Sequence, residues 1–320
     1  MKVKLSRRSF VSLASTGIVA SCAQTPVPAH TQTPVSTRSR AGKELRVGAC
    51  QILTFPEPKR SAEKICAWLE NAAKEELDVI TFPEAAVCGY TCDKDYWKQA
   101  NPDEFRAAEN VVLTAARKLG LAVVLGTAHW ESGKVFNSLL VVDKGGEARG
   151  RYSKTFLAEA WPKPGRRRLP VWTLAGVKSC FIICHDIRYP ELVRLPAIAG
   201  AQICYYSSNE SGLLEEHKLS AYRAMPISRA TENTIYLVMA NAPADPNNMR
   251  GDSQSHGNSK IINPDGNVLC EAGFFSETLM SATINIDKAT RAIAQRTVRE
   301  ETILRQWLQD GAQLVEQDKP

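Results

Sequence analysis

From residue 44 onward, short apolar runs alternate with longer stretches whose apolar residues recur at helical spacing. Glu44–Gln51 (ELRVGACQ) is apolar and β-branched enough for a buried strand. Lys59–Glu76 carries Ile65, Trp68, Leu69 and Ala72 on one helical face. Asp78–Phe82 is a short buried strand stopped by Pro83, and Pro102 opens a second helix. Leu121–Trp130 and Val135–Asp143 make two more strands, and Gly145-Gly146 turns the chain into a hairpin. The second half predicts strands at Ser179–Cys184, Gln202–Ser207 and Ile235–Asn241, with helices after Pro190 and over Glu215–Asn233. A last hairpin turns at Asn263-Pro264-Asp265-Gly266, and a helical tail starts at Asp287. No linker interrupts residues 44–309, so this pattern predicts one layered α/β domain, with residues 310–320 as a C-terminal tail.

The N-terminus follows different rules. Ser6-Arg7-Arg8-Ser9-Phe10-Val11 resembles a twin-arginine export signal, followed by a modest apolar stretch from Phe10 to Ala20. That stretch is too short, and too diluted by Ser12, Ser15, Thr16 and Gly17, to remain as a membrane span. It ends in Val19-Ala20-Ser21-Cys22, which resembles a lipobox, so residues 1–22 read as a signal with Cys22 as the lipidated residue. Cleavage after Ala29, giving a soluble periplasmic protein, is the alternative. Residues 23–43 are rich in Pro, Thr, Ser and Gln without apolar periodicity, the composition of a disordered tether.

Charge and cysteine content narrow the function classes. The formal charge is +6, but Lys2, Lys4, Arg7 and Arg8 lie in the signal; without them 36 basic residues face 34 acidic ones. A body that near neutrality has no footprint for nucleic acid, and the run Arg166-Arg167-Arg168 reads as a solvated loop. Eight of the nine cysteines lie in the body. A disulfide framework belongs to smaller secreted domains, although Cys88 and Cys92 are close enough in sequence to bridge after export. The five histidines are scattered, and no Cys or His pair has metal-site spacing.

Three strand ends carry the candidate chemistry. Glu84 follows a strand in T-F-P-E-A, Lys154 sits in R-Y-S-K-T-F-L, and Cys184 ends F-I-I-C-H-D-I-R-Y-P-E-L. Amide hydrolysis needs a nucleophile, a group that takes and returns its proton, and a positive charge facing the oxyanion; a cysteine, a carboxylate and a lysine supply these when they converge. Singly, each has an ordinary structural explanation: core packing for Cys184, solvation for Glu84 and Lys154.

In order and context, these motifs resemble the nitrilase (carbon–nitrogen hydrolase) superfamily over nearly all of residues 44–285. Arg229-Ala230-Thr231-Glu232-Asn233 and Asn258-Ser259 followed by Asn263-Pro264-Asp265-Gly266 extend the match. The resemblance implies a four-layer α-β-β-α sandwich, no cofactor, and homodimers packed through helices. It implies that Cys184 is acylated, that Glu84 acts as base and then acid, and that Lys154 and the backbone N–H of His185 meet the oxyanion. Glu159 is either the second active-site glutamate or a loop residue, because the segment from Lys154 to Pro164 is short. Asp186 and Arg188 read as a buried pair holding the nucleophile loop, with Arg223 or Arg229 helping to dock a helix. His185, Asn209 and Glu210 read as substrate-side residues. The sequence C-x-D-x-R resembles the amidase and N-carbamoyl-amine branches, so the expected substrate is a small linear amide. Nitrile hydrolysis, lipoprotein-type N-acyl transfer and simple ligand binding are the rival readings; the second lacks the apolar spans it needs.

Overall fold

The computed structural model describes residues 44–165, 168–210, 216–247 and 255–317. The export signal with Cys22, the polar stretch to residue 43, and Arg166-Arg167 lie outside the described residues. The first half runs β1 (Glu44–Gln51), α1 (Pro58–Lys74), β2 (Val79–Thr81), α2 (Lys94–Gln99), α3 (Pro102–Leu119), β3 (Ala122–Glu131), β4 (Lys134–Val142) and β5 (Ala148–Ser153). The second half begins with β6 (Leu169–Leu174), β7 (Val177–Ile183), a 3-10 turn (Cys184–Arg188), α4 (Glu191–Ala199), β8 (Ile203–Ser208), α5 (Glu216–Thr231) and β9 (Tyr236–Asn241). It closes with β10 (Lys260–Ile262), β11 (Val268–Glu271), β12 (Thr278–Asn285), α6 (Ala292–Arg299), α7 (Arg305–Ala312) and β13 (Val315–Gln317).

The strands form two sheets, ordered β12-β1-β2-β3-β4-β5 and β11-β10-β9-β8-β7-β6-β13. Each has a parallel centre, β1-β2-β3 in one and β7-β8-β9 in the other. Alternation along a strand assigns side chains to two different cores. On β3, Ala122 and Val124 face the other sheet while Val123 and Leu125 pack with α1 and α3. On β7, Phe181 and Ile183 join the inter-sheet core, whereas Cys180 and Ile182 pack with Leu192, Val193 and Leu195 of α4. Strands buried on both faces carry the unbroken apolar runs seen in the sequence. The result is the four-layer α-β-β-α sandwich.

The boundaries follow local chemistry. Pro102 starts α3, the Asn101 side chain accepts the Asp103 N–H at 3.0 Å, and Gly120 ends the helix at φ 65°. The Gly145-Gly146 turn is tied by Asp143 Oδ1, which accepts from Gly145 and Glu147 at 2.9 Å each. Four elements go beyond the pattern reading: α2, β6, β12 and β13. β12 pairs antiparallel with β1 along its whole length, and the supposed tail supplies β13, parallel to β6. All eight body cysteines are thiols, with Cys88 buried and Cys92 exposed, so no bridge joins them. Among the described residues, no helix is long and apolar enough to cross a membrane.

Candidate active site

The carboxyl ends of β2, β5, β7 and β8 meet, and each contributes to one buried cluster. Glu84 follows β2 after Phe82-Pro83. Its turn lies so close to β3 that a Cβ on Gly126 would sit 1.9 Å from the Pro83 carbonyl oxygen, which explains the glycine there. Lys154 follows β5; its N–H donates to Asn137 O and its carbonyl accepts from Gly165, both at 2.8 Å. Cys184 follows β7 and adopts φ 45°, a left-handed backbone that costs a non-glycine residue about 1–2 kcal/mol. That conformation turns the chain sharply out of the strand into the 3-10 turn.

Glu84 and Lys154 have no solvent exposure. The Lys154 ammonium donates to Glu84 Oε1 at 2.8 Å and to Glu159 Oε1 at 2.5 Å. Asn137 Nδ2 also donates to Glu84 Oε1, at 2.7 Å, and the Asn209 backbone N–H donates to Glu84 Oε2 at 2.9 Å. Glu159 is fixed in turn by the Tyr90 hydroxyl at 3.0 Å and the Ala158 N–H at 3.1 Å. This settles the position of Glu159: it sits in the cluster, not in a solvated loop.

Burial pushes the Glu84 carboxyl up to about 7, against the pull of Lys154 and with help from Glu159. Burial likewise raises the Cys184 thiol well above its ordinary value; Glu84, Glu210 and Glu159 add to the rise and Lys154 opposes it. For Lys154, burial disfavours the charge, but Cys184, Glu84 and Glu159 outweigh it and hold the ammonium. Glu159 goes the other way: burial raises it, yet Lys154 brings it below its usual range. A neutral thiol, a carboxyl able to exchange a proton near neutrality and a permanent cation therefore share one dry space. Such a set can activate a sulfur nucleophile and stabilise a developing oxyanion.

The Cys184 turn is held differently from the sequence expectation. Asp186 is buried, but Arg188 is exposed and does not pair with it. Asp186 accepts from the N–H groups of Thr155 (3.2 Å), Phe156 (2.8 Å) and Ile183 (3.1 Å) and from the Tyr152 hydroxyl (2.7 Å). It thus ties the Lys154 segment to the Cys184 turn with neutral donors, which a guanidinium would displace. Arg188 lies over Tyr222 instead, 5.3 Å from its ring centre. Arg229 does clamp the turn, donating through Nε and Nη2 to Ile187 O at 3.1 and 2.8 Å. Arg223 is elsewhere, over Phe274.

His185 is half-buried, edge-on to Tyr189, and held below its usual range by burial and then by Arg188 and Lys154. Asn209 lines a cavity of about 360 Å³ with Tyr90 and Gly89, and its buried Oδ1 has no partner among the described residues. Glu210 is fully buried, with one oxygen against the Tyr206 hydroxyl and the other against His256. Asn137, Tyr90, Tyr206 and His256 escaped the sequence reading. Asn137 left a trace, a lone amide inside the apolar run V-F-N-S-L-L. A larger groove of about 810 Å³ lies among α1, α2 and α3, and no cysteine lines it. Among the described residues no group of three His, Cys, Asp or Glu side chains could hold a metal ion.

With this geometry in place, residues 46–294 match the carbon-nitrogen hydrolase family. The chain belongs to that family. The hydrolase is 26% identical over 242 residues to the 2-oxoglutaramate amidase of Bacillus subtilis (strain 168), covering 74% of this chain and 89% of the relative. It is 31% identical over 207 residues to an (R)-stereoselective amidase of a Pseudomonas species, covering 62% and 70%. Among solved structures, a cysteine-to-alanine mutant of the Nesterenkonia AN1 amidase from the nitrilase superfamily superposes with a TM-score of 0.72 at 23% identity, covering 83% of this chain and 98% of that one. A glutamate-to-glutamine mutant of the same amidase, showing covalent addition of the acetamide moiety of fluoroacetamide at the active site cysteine, gives 0.72 at 24%, covering 83% and 97%. The hydrolase is thus an amidase-like enzyme acting on non-peptide carbon–nitrogen bonds.

The raised Glu84 carboxyl links this site to stability. Its folded-state value lies above the unfolded carboxylate range, so its contribution is full below about pH 4 and is lost as pH rises through about 7. Glu84→Gln removes that titration. The variant's stability relative to wild type is expected to improve between pH 5 and pH 8.5, by up to about 3 kcal/mol. Urea unfolding at the two pH values measures it, and a difference that stays flat or falls would contradict the electrostatic account.

Proposed function

We propose that this hydrolase cleaves a linear amide or N-carbamoyl amine through a thioester acyl-enzyme, with Cys184, Glu84 and Lys154 as the reacting residues. The observation that carries the reading is the dry Lys154 ammonium between Glu84 (2.8 Å) and Glu159 (2.5 Å), beside the strained Cys184 turn. As the sulfur attacks the substrate carbonyl carbon, Glu84 takes the thiol proton. The tetrahedral oxyanion faces Lys154 and the backbone N–H of His185. The C–N bond then breaks as Glu84 returns the proton to the leaving nitrogen, and ammonia or an amine departs. Water next attacks the thioester and gives a proton to Glu84; the C–S bond breaks, the acid leaves, and the proton returns to sulfur. Glu159 orients Lys154, and the Oδ1 of Asn209, without a partner among the described residues, accepts an N–H from the substrate. The fluoroacetamide adduct on the cysteine of the Nesterenkonia enzyme and the amidase names of the relatives support the reaction class.

Cys184→Ala and Cys184→Ser are expected to abolish hydrolysis across a panel of amides, N-carbamoyl amines and nitriles while melting within a few degrees of wild type. Lys154→Met is expected to lose at least about a hundredfold in kcat. Turnover retained by folded Cys184→Ala would sink the mechanism, and the panel itself names the preferred bond.

The same reading places the enzyme outside the cytoplasm, exported by the twin-arginine route and tethered by lipid on Cys22, as a homodimer. Half-exposed Ile293, Leu304 and Trp307 on and beside the C-terminal helices support a second copy there. Cys22→Ala is expected to move active enzyme from the membrane to the soluble periplasmic fraction. Wild-type protein found wholly soluble, with its N-terminus beyond residue 22, would refute the anchor.

A further inference from the structure

A second buried titratable cluster touches the Cys184 turn through the backbone carbonyl of Cys184. Tyr206, Glu210 and His256 are all shut off from solvent, at 0%, 1% and 2% exposure. The Tyr206 hydroxyl lies 3.2 Å from the backbone carbonyl oxygen of Cys184 and also contacts Glu210 Oε1. His256 Nε2 lies 3.1 Å from Glu210 Oε2, and His256 Nδ1 is buried without a partner among the described residues. The Glu210 N–H donates to Asn241 Oδ1 at 3.0 Å, which also accepts from Ser255 Oγ at 2.9 Å. The cluster thus hangs between the end of β8, the end of β9 and the nucleophile turn. The mechanism above uses none of its side chains.

We propose that Tyr206, Glu210 and His256 form a positioning relay that holds the carbonyl of Cys184, and through it the strained turn presenting the thiol. The assignment rests on the reading of Cys184 as nucleophile. Counting protons fixes how the relay works. Tyr206 has one hydroxyl proton and faces two acceptors, the Cys184 carbonyl and Glu210. If Glu210 is a carboxylate, it takes that proton and leaves the Cys184 carbonyl unserved. All three contacts are hydrogen bonds only in one arrangement. Glu210, as a carboxylic acid, donates to the tyrosine oxygen; Tyr206 donates to Cys184; and the N–H at His256 Nε2 donates to Glu210 Oε2. This arrangement leaves His256 Nδ1 as a bare lone pair, matching its lack of a hydrogen-bond partner among the described residues. An imidazolium would instead bury an unsatisfied charged N–H, the more costly defect. Tyr222 and Arg188 border the same space, their hydroxyl and guanidinium 3.4 Å apart.

The relay acts through the turn, so the thiol itself reports on it. Two readouts are used in the full-length enzyme: kcat and KM for an amide substrate, and the rate at which iodoacetamide alkylates Cys184. Tyr206→Phe is expected to reduce both kcat and the alkylation rate by about tenfold or more, with KM changed by less than about threefold. Glu210→Leu, of similar size but unable to bond, should match Tyr206→Phe. Glu210→Gln should recover both rates to within about threefold of wild type, because its amide N–H donates to Tyr206 and its oxygen accepts from His256. If Glu210→Gln is as damaging as Glu210→Leu, or acts on KM alone, Glu210 serves as a charge toward substrate and the relay is refuted. Unchanged alkylation in Tyr206→Phe refutes it as well, and that variant decides the matter should Glu210→Leu not fold. Failure of the nucleophile assignment has its own signature, amide turnover surviving in Cys184→Ala.

Discussion

An ammonium group shut away from water needs anions within hydrogen-bond reach, and Lys154 meets that need with parts drawn from across the first sheet. Desolvating the lysine costs several kcal/mol, which only well-placed carboxylates recover. Glu84 arrives from the end of β2, and Glu159 from the loop after β5, steadied by Tyr90. Because two carboxylates share one cation, they are not equivalent. Glu159 is brought down by the pair, whereas Glu84, with no exposure at all, is pushed up to about 7. One constraint therefore yields a permanent anion that holds the lysine and a second carboxyl able to trade protons near neutrality.

The same cluster joins the two sheets. Asn209, at the end of β8, donates its N–H to Glu84, while Ser208 accepts the Glu84 N–H at 3.3 Å. Asp186 binds the Lys154 segment to the turn that carries Cys184, using four neutral donors. Strain at Cys184 persists because these contacts, with Arg229 on the Ile187 carbonyl, over-determine the turn. Fold and site are in this sense one object: the sheets meet where the chemistry needs them.

Much of this was legible in the sequence because the central strands are local, apolar and followed closely by Glu84, Lys154 and Cys184. T-F-P-E, S-K-T-F and I-I-C-H-D each mark a strand end, and each lands in the cluster. What the sequence hid has non-local causes. β12 lacks clean alternation and is a strand because β1 offers it a partner more than two hundred positions away. β13 comprises three residues that pair only once α7 has brought them to β6. Arg188 was misplaced because spacing alone suggested an ion pair, while Asp186 found backbone donors nearer to hand. Glu210 and His256 lie 46 positions apart, and nothing local ties either to Cys184.

The central claim is that carbon–nitrogen cleavage passes through sulfur at position 184, with Glu84 moving the proton. Acid quenching of Glu84→Gln during reaction with a short linear amide, followed by peptide mass spectrometry, tests it most directly. The expected result is an acyl adduct on the peptide containing Cys184, released by hydroxylamine, with the other cysteines unmodified. Amide turnover with no adduct at Cys184, or an adduct on another cysteine, would contradict the account.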